Sequence, residues 1–390
     1  MINLEESLTR EVLRTNRLGA YHSSTVVDCN TRKYHGLLVM PVPALDDDNH
    51  VLLSSLDETV IQHGAEFNLG LHKYGENNFS PKGHKYIREY TCDTVPRTVY
   101  RVGGVIFSKE KVFSMFENRI MIKYTLEDAH SATTLRFRPF LAFRSVKELT
   151  YANGNLNQNY TVVPNGIKMC LYPGYPELFM QFSKKVNFVF DPKWYYGIEY
   201  SKEQERGYPY KEDLFVPGYF EVPIKKGETI VFSAGDSQVA TTRLKTLYDT
   251  EVAARTPRTS FYNCLKNSAQ QFYFRPKKQD AYLLAGYPWF KVRARDLFLA
   301  TPGCTLSIDD PVRFEKIMAT ALPALRAFME DGAQDSVIQE IEQPDVILWA
   351  IWAIQQYAKV VGIDKARELY KEFIDCLLYT SDAADEARSV

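Results

Sequence analysis

The hydrophobic pattern of this chain changes period once, near residue 241, and that change constrains the fold more than any other feature. Before it, apolar and polar residues alternate in short runs. Ile120, Ile122, Tyr124 and Leu126 alternate with Met121, Lys123 and Thr125, and Leu135 and Phe137 alternate with Arg136 and Arg138. Val105-Ile106-Phe107, Lys111-Val112-Phe113, Asn187-Phe188-Val189-Phe190, Tyr219-Phe220-Glu221-Val222 and Thr229-Ile230-Val231-Phe232 are further runs bounded by Gly, Pro, Asp or Lys pairs. A period of two places successive side chains on opposite faces of a strand. Many short strands at regular spacing predict an antiparallel β-sandwich over residues 1–240. The polar run Asn153 to Asn159 reads as a hairpin or loop within it.

Beyond residue 241 the period approaches that of a helix. Phe261, Tyr262, Leu265, Ala269, Phe272 and Tyr273 fall on one face. Asp310 can cap a helix with Pro311 at its first position, and Phe314, Ile317, Met318, Ala321, Leu325, Phe328 and Met329 form its stripe, with a kink expected at Pro323. Pro344 opens another helix, with Ile347, Leu348, Ile351 and Trp352 on one side and Gly362 as its stop; Asp364 is placed to cap a last one carrying Leu369, Tyr370 and Phe373. Consecutive helices with short links predict stacked antiparallel pairs. The chain therefore reads as a β domain (1–240), a connecting helical region (241–275) and a helical domain (276–375).

Charge excludes several function classes. The 47 basic and 48 acidic residues nearly cancel, so no basic field is presented to nucleic acid. No apolar run reaches the roughly 18 residues of a membrane helix, and Met1 to Glu6 show neither the basic nor the apolar region of a secretory signal. The six cysteines are scattered without a CxxC, which predicts buried thiols in a reducing, cytoplasmic setting and neither a disulfide framework nor a zinc site. Nothing in the chain calls for a cofactor or metal.

Where the strand-rich part gives way to helices lies Ala285-Gly286-Tyr287-Pro288-Trp289-Phe290-Lys291-Val292-Arg293-Ala294-Arg295-Asp296. A Gly/Pro-punctuated apolar loop thus delivers Trp289, Phe290, Arg295 and Asp296 to a helix start. Flat rings beside one carboxyl suit sugar chemistry, in which a pyranose face packs on an aromatic surface and an acid of raised pKa supplies a proton. The alternative is a buried aromatic loop with an Arg–Asp pair at a helix start. Arg32, Lys33, Tyr34 and His35 form a polar cluster between apolar runs, either an edge turn with a satisfied histidine or a sugar-contacting loop. Glu203, Glu205, Arg206, Glu212 and Asp213 read as a solvated charge cluster in a loop, with a contribution to a nearby cleft as the alternative.

Three passages together resemble the bacterial and archaeal glycogen debranching enzymes of the amylo-α-1,6-glucosidase type. They are Arg17 to Tyr21 with Asn30 to Leu38; Glu212-Asp213-Leu214-Phe215 with Pro217-Gly218-Tyr219-Phe220; and Ala285 to Phe290 with Arg295-Asp296. The resemblance implies a β-sandwich followed by an (α/α)6 toroid, and hydrolysis of α-1,6-linked glucose at branch points of glycogen or a related α-glucan, with inversion. It implies that Asp296 is the general acid and that Asp345, in an Asp-x-x-Leu-Trp pattern ending at Trp349, lies on the substrate side. Trp289, Phe290, Arg295, Arg32, Tyr34 and His35 complete the candidate substrate contacts. The family has Gly-x-Trp-Gly between the Phe and the Arg-Asp; here Lys291-Val292-Arg293-Ala294 stand there, which removes one Trp from the stacking set.

Residues 376–390 begin Cys-Leu-Leu-Tyr-Thr-Ser-Asp-Ala-Ala-Asp-Glu, which resembles a translated sequencing adapter, with an ordinary helix end as the alternative. On the adapter reading the toroid is truncated near Asp375. The general base then belongs to the missing part, the 390-residue chain is expected to be inactive, and apolar stripes of residues 310–375 are left exposed. Two other readings remain: a non-catalytic α-glucan-binding protein, and another (α/α)6 glycosidase such as a glucoamylase-like enzyme.

Overall fold

The alternating runs are strands, and they pair into two large antiparallel sheets. The computed structural model describes the backbone of residues 3–76 and 78–388 and the surroundings of side chains up to Leu377. The chain divides into two units, Met1–Asn263 and Cys264–Val390.

In the first unit, one eight-stranded sheet runs in the order Glu11–Thr15, Tyr21–Thr25, Gly36–Pro41, Asn49–Gln62, Thr133–Ser145, Lys211–Ile224, Asn187–Glu199, with Ala65–Asn68 added to Asn49–Gln62. The other, also eight-stranded, runs Tyr160–Val163, Gly166–Met169, Leu178–Phe182, Thr229–Gly235, Arg119–Asp128, Val105–Phe113, Arg97–Val102, Ile87–Thr91. Both contribute to one apolar core, where Tyr124 of the second sheet meets Phe137 of the first at 4.9 Å between ring centroids, and Phe137 meets Phe182 at 5.2 Å. Tyr124 and Leu126 are buried there while Lys123 and Thr125 are only half-buried, as the period of two requires.

Among the described residues, the α-helices α1 (Leu4–Thr9), α2 (Ser201–Glu205) and α3 (Leu244–Ala253) lie wholly in this unit. Met121 breaks the alternation and is buried, because Leu244 and Tyr248 of α3 cover its face of the sheet together with Val112 and Val231. The stretch 241–275, expected as one connecting region, is therefore split. Residues to Asn263 join the β unit and the remainder joins the second unit.

The second unit holds most of α4 (Phe261–Gln270), then α5 (Ala294–Thr305), α6 (Pro311–Asp331), α7 (Val346–Val361) and α8 (Ile363–Arg388). The expected α4 face is a correction. Phe261, Tyr262 and Leu265 are exposed, and the stripe is not one helix face because α4 ends at Gln270 and Tyr273 is buried on a short ribbon, Tyr273–Phe274 with Tyr282–Leu283. The α6 start follows the sequence: Asp310 Oδ1 accepts from Arg313 N at 3.0 Å with Pro311 at the first position, and the helix continues through Pro323. Gly362, at φ 99, stops α7. Asp364 does not cap α8; the helix starts one residue earlier because Gly362 already turns the chain and its carbonyl accepts from Ala366 N at 3.2 Å. Phe314 stacks on Tyr357 at 4.8 Å in the core between α6 and α7. Val312, Leu348, Val360, Ile363 and Leu369 remain exposed. The side chains from residue 378 onward, which carry most of the adapter-like tail, lie outside the described residues.

Candidate active site

The loop of residues 285–296 is organised by a two-residue strand. Val292–Arg293 pairs in parallel with Ile338–Gln339, and Val292 and Ile338 are both buried. Asp335 Oδ1 fixes the second strand by accepting from Val337 N and Ile338 N, each at 2.7 Å. Helix α5 begins at Ala294, directly after the strand, so Arg295 and Asp296 lie in its first turn. Asp345 stands at the start of α7. The α5–α7 interface buries Leu297, Phe298, Val346 and Ala350, which brings the two helix starts together.

There Arg295 and Asp345 form a bidentate pair, Nη2 to Oδ1 at 2.9 Å and Nε to Oδ2 at 2.9 Å. One turn along α7, Trp349 Nε1 donates to Asp345 Oδ2 at 3.1 Å, and Trp349 meets Trp352 edge-on at 5.7 Å. The Arg295 guanidinium, and after it the Trp349 N–H, hold the Asp345 carboxyl below its ordinary value. The structure thus joins three residues named from the sequence across a gap of 50 positions. Arg295 turns to Asp345, while the half-buried carboxylate of Asp296 accepts no hydrogen bond and makes no ion pair among the described residues.

Trp289 and Phe290, 37% and 44% exposed, sit on a tight loop closed by the Gly286–Phe290 bridge and by Ala285 N donating to Lys291 O at 2.8 Å. Arg293, one of the four residues standing where the family has Gly-x-Trp-Gly, lies 4.8 Å over the Phe290 ring and pairs with Glu340 Oε1 at 3.1 Å. Sequence reasoning missed both Arg293 and Glu340. Arg293 was visible only as a departure from a motif. Glu340 has no local signal: it is placed by the parallel pairing, and its backbone is left-handed, at φ 59.

The first-unit candidates form a separate cluster. Arg32 Nε donates to Glu11 Oε1 at 2.6 Å, and its guanidinium lies 5.6 Å from the centre of the Tyr34 ring. His35 is fully buried; its Nδ1 accepts from Thr31 N at 3.2 Å, so Nε2 carries the proton and faces Glu11 Oε2 at 3.7 Å. Burial pushes the His35 pKa down. Burial pushes Glu11 up, but His35 and Arg32 outweigh it and bring its carboxyl down to about 2. A ligand would meet the half-buried Arg32 and Tyr34 before His35.

The charges of residues 203–215 are a further correction. Glu203 and Glu212 are buried. Glu212 lies on a strand, where it pairs with Arg144 through both carboxylate oxygens, accepts from the Tyr200 hydroxyl, and accepts from Thr150 N at 2.9 Å. Asp213 accepts from Gly197 N at 2.8 Å and Ala152 N at 3.0 Å. These carboxylates tie strands to neighbouring loops.

The family model described as glycogen debranching enzyme N terminal matches residues 10–231, and that described as amylo-alpha-1,6-glucosidase matches residues 266–378. The chain belongs to the glycogen debranching enzyme family. This is a glycosidase-type family, and its two parts meet this chain on either side of α3 and the division at Asn263. Among solved structures the chain is similar to a bacterial glucoamylase complexed with acarbose, at 10% identity and TM-score 0.45 over 95% of this chain and 58% of that one. It is also similar to a candidate kojibiose phosphorylase from the human microbiome, at 11% identity and TM-score 0.32 over 95% of this chain and 53% of that one. The chain therefore spans little more than half the length of these structures. No curated protein matches it.

Proposed function

We propose that this chain carries the glucan-binding surface and the general acid of an amylo-α-1,6-glucosidase, which hydrolyses branch points of glycogen or a similar α-glucan with inversion. The observation that carries the reading is the Arg295–Asp345–Trp349 cluster at the start of the two helices, one residue from Asp296. In this reading the first unit is a β-sandwich and the second contributes helices to an (α/α)6 toroid. Asp296 protonates the leaving oxygen. Its carboxylate is not committed to a protein partner among the described residues, so it is available to the leaving oxygen of a bound sugar. Trp289, Phe290 and Trp349 offer ring surface to pyranose faces, and Arg295 and Asp345 supply a donor and an acceptor for hydroxyls. Arg32 and Tyr34 contact glucan at the first unit, with His35 holding their loop.

Inversion needs a second carboxyl about 6.5–9.5 Å from the acid, to activate water on the opposite face of the ring. The test is incubation with a phosphorylase limit dextrin, following glucose by NMR. In a protein that also supplies that second carboxyl the expected product is β-glucose, lost about a hundredfold or more in Asp296→Asn, in line with removal of a general acid (about 10²–10⁴). Release of α-glucose, or undiminished release by the variant, would overturn the mechanism. Binding of the dextrin with no release would leave a glucan-binding protein.

A further inference from the structure

The two arginine–carboxylate pairs of the helical unit differ in what they leave open. Arg295 commits two nitrogens to the two oxygens of Asp345. Arg293 turns only Nη2 to Glu340 Oε1, at 3.1 Å, and sets its guanidinium 4.8 Å from the centre of the Phe290 ring. A guanidinium carries five N–H donors and a carboxylate two acceptor oxygens. Among the described residues, Arg293 donates no side-chain hydrogen bond to the protein and the Glu340 carboxylate accepts none; their side chains are 36% and 42% exposed. Donors and an acceptor therefore meet solvent together, beside an exposed aromatic ring.

The backbone fixes where both side chains stand. Arg293 lies between Val292 and Ala294, and Glu340 follows Ile338 and precedes Ile341; all four neighbours are buried. The parallel pairing of Val292–Arg293 with Ile338–Gln339 holds the two stretches side by side. Arg293 is also the N-cap of α5, three positions before Asp296. Glu340 then adopts φ 59, a left-handed backbone that a glutamate rarely occupies and a glycine takes without steric cost. Glutamate is the poorer choice for stability at such a position. Conformations of this kind persist where the surroundings over-determine them, and they collect at binding sites. Here the turn leaves the Glu340 carboxylate beside Arg293.

The pair selects a ligand class. Its charges cancel, so it favours a neutral ligand over a phosphate or an amine. Arg293 occupies part of the Phe290 surface, so a sugar that reaches this ring also reaches the guanidinium and the carboxylate around it. Two neighbouring hydroxyls match the two groups, one accepting from an N–H and the other donating to a carboxylate oxygen. We propose that Arg293 and Glu340 are substrate-binding residues of the helical unit, which take two adjacent hydroxyls of a glucose unit held against Phe290. That the sugar is glucose rests on the glucan reading above. A ring face alone accepts any flat apolar surface, whereas a fixed donor and acceptor also read where the hydroxyls stand.

Fluorine NMR of the full chain, labelled with fluorotryptophan and titrated with maltohexaose, tests the pair. Trp289 adjoins Phe290, so its resonance, assigned by its absence in Trp289→Phe, reports this site apart from any glucan contact on the β unit. Arg293→Met keeps the apolar stem and removes the donors; the dissociation constant read at Trp289 is expected to rise about tenfold or more, the loss of a hydrogen bond from a charged group. A pair this exposed contributes little to stability, so the melting temperature should stay nearly unchanged. Glu340→Gly should weaken binding while leaving the melting temperature unchanged or raised, because glycine relieves the left-handed backbone. Undiminished affinity in Arg293→Met would reduce Arg293 to a prop for the ring and overturn the proposal, as would a Glu340→Gly chain that melts lower and binds as before. A Trp289 resonance that maltohexaose does not move in the parent chain would overturn the glucan reading of this unit along with the pair, whereas a shift that survives both substitutions at full affinity would remove the pair alone.

Discussion

Asp345 and Glu11 are both carboxylates answered by an arginine, and their settings give them different consequences. Asp345 is solvent-facing, so its pair with Arg295 is a matter of aim more than of stability. Arg295→Ala should therefore leave the melting temperature nearly unchanged while weakening glucan binding about tenfold, read by calorimetry; an unchanged affinity would remove Arg295 from the site. Glu11 is held at about 2 against an ordinary 4.5, chiefly by His35 and Arg32 acting against burial. A carboxyl depressed on folding stabilises above its unfolded value and loses that contribution as pH falls through the folded one. The buried His35, whose pKa is lowered, acts in the same direction, since protonating it is easier in the unfolded chain. Melting temperature should thus decline as pH drops from about 6.5 toward 2, and Glu11→Gln should flatten the part of that slope below about 4.5. An identical slope in the variant would show that Glu11 does not couple to folding.

At the scale of elements, strand and helix identity was legible because periodicity is local, and so were the Asp310 cap and the Gly362 stop. Pairings between distant elements were not. Glu212 looked like part of a solvated loop because its partner Arg144 lies 68 positions away, and Met121 looked outward because α3, which covers it, comes more than a hundred residues later. In the candidate site Arg295, Asp345 and Trp349 were legible as motif residues, whereas Glu340 depends on a two-residue parallel pairing that no pattern announces. The Pro217-Gly218-Tyr219-Phe220 passage has a physical cause in the sheet. Gly218 adopts φ 146, and a Cβ there would stand 2.1 Å from Val189 O on the adjoining strand. Neither the conformation nor the backbone can yield cheaply. Gly218→Ala should cost roughly 2–4 kcal/mol in urea unfolding, and a cost below about 0.5 kcal/mol, the level of a surface change, would mean that the strands separate more readily than their pairing implies.

For the whole molecule, the two units differ in how completely their apolar surface is covered. In the β unit both large sheets contribute side chains to one extensive core. The helical unit leaves a groove of about 480 Å³ between α6 and α8, with Val312, Met318, Leu322, Leu369 and Phe373 in its wall. The expectation of exposed apolar residues over 310–375 accords with Val312, Leu348, Val360, Ile363 and Leu369. Exposed apolar surface of this kind drives self-association. Sedimentation velocity should show concentration-dependent association that Leu369→Asp reduces, and an association unaffected by that change would place the contact elsewhere. Helix α7 begins with an acid whose side chain does not cap it, since Asp345 faces Arg295 and Trp349 instead. Val346 N and Trp349 N donate to the carbonyls of Gln343 and Asp345, at 3.1 Å each, so the peptide hydrogens of Ile347 and Leu348 between them should be the quickest in the helix to trade deuterium with solvent and should slow once a sugar oxygen settles against them.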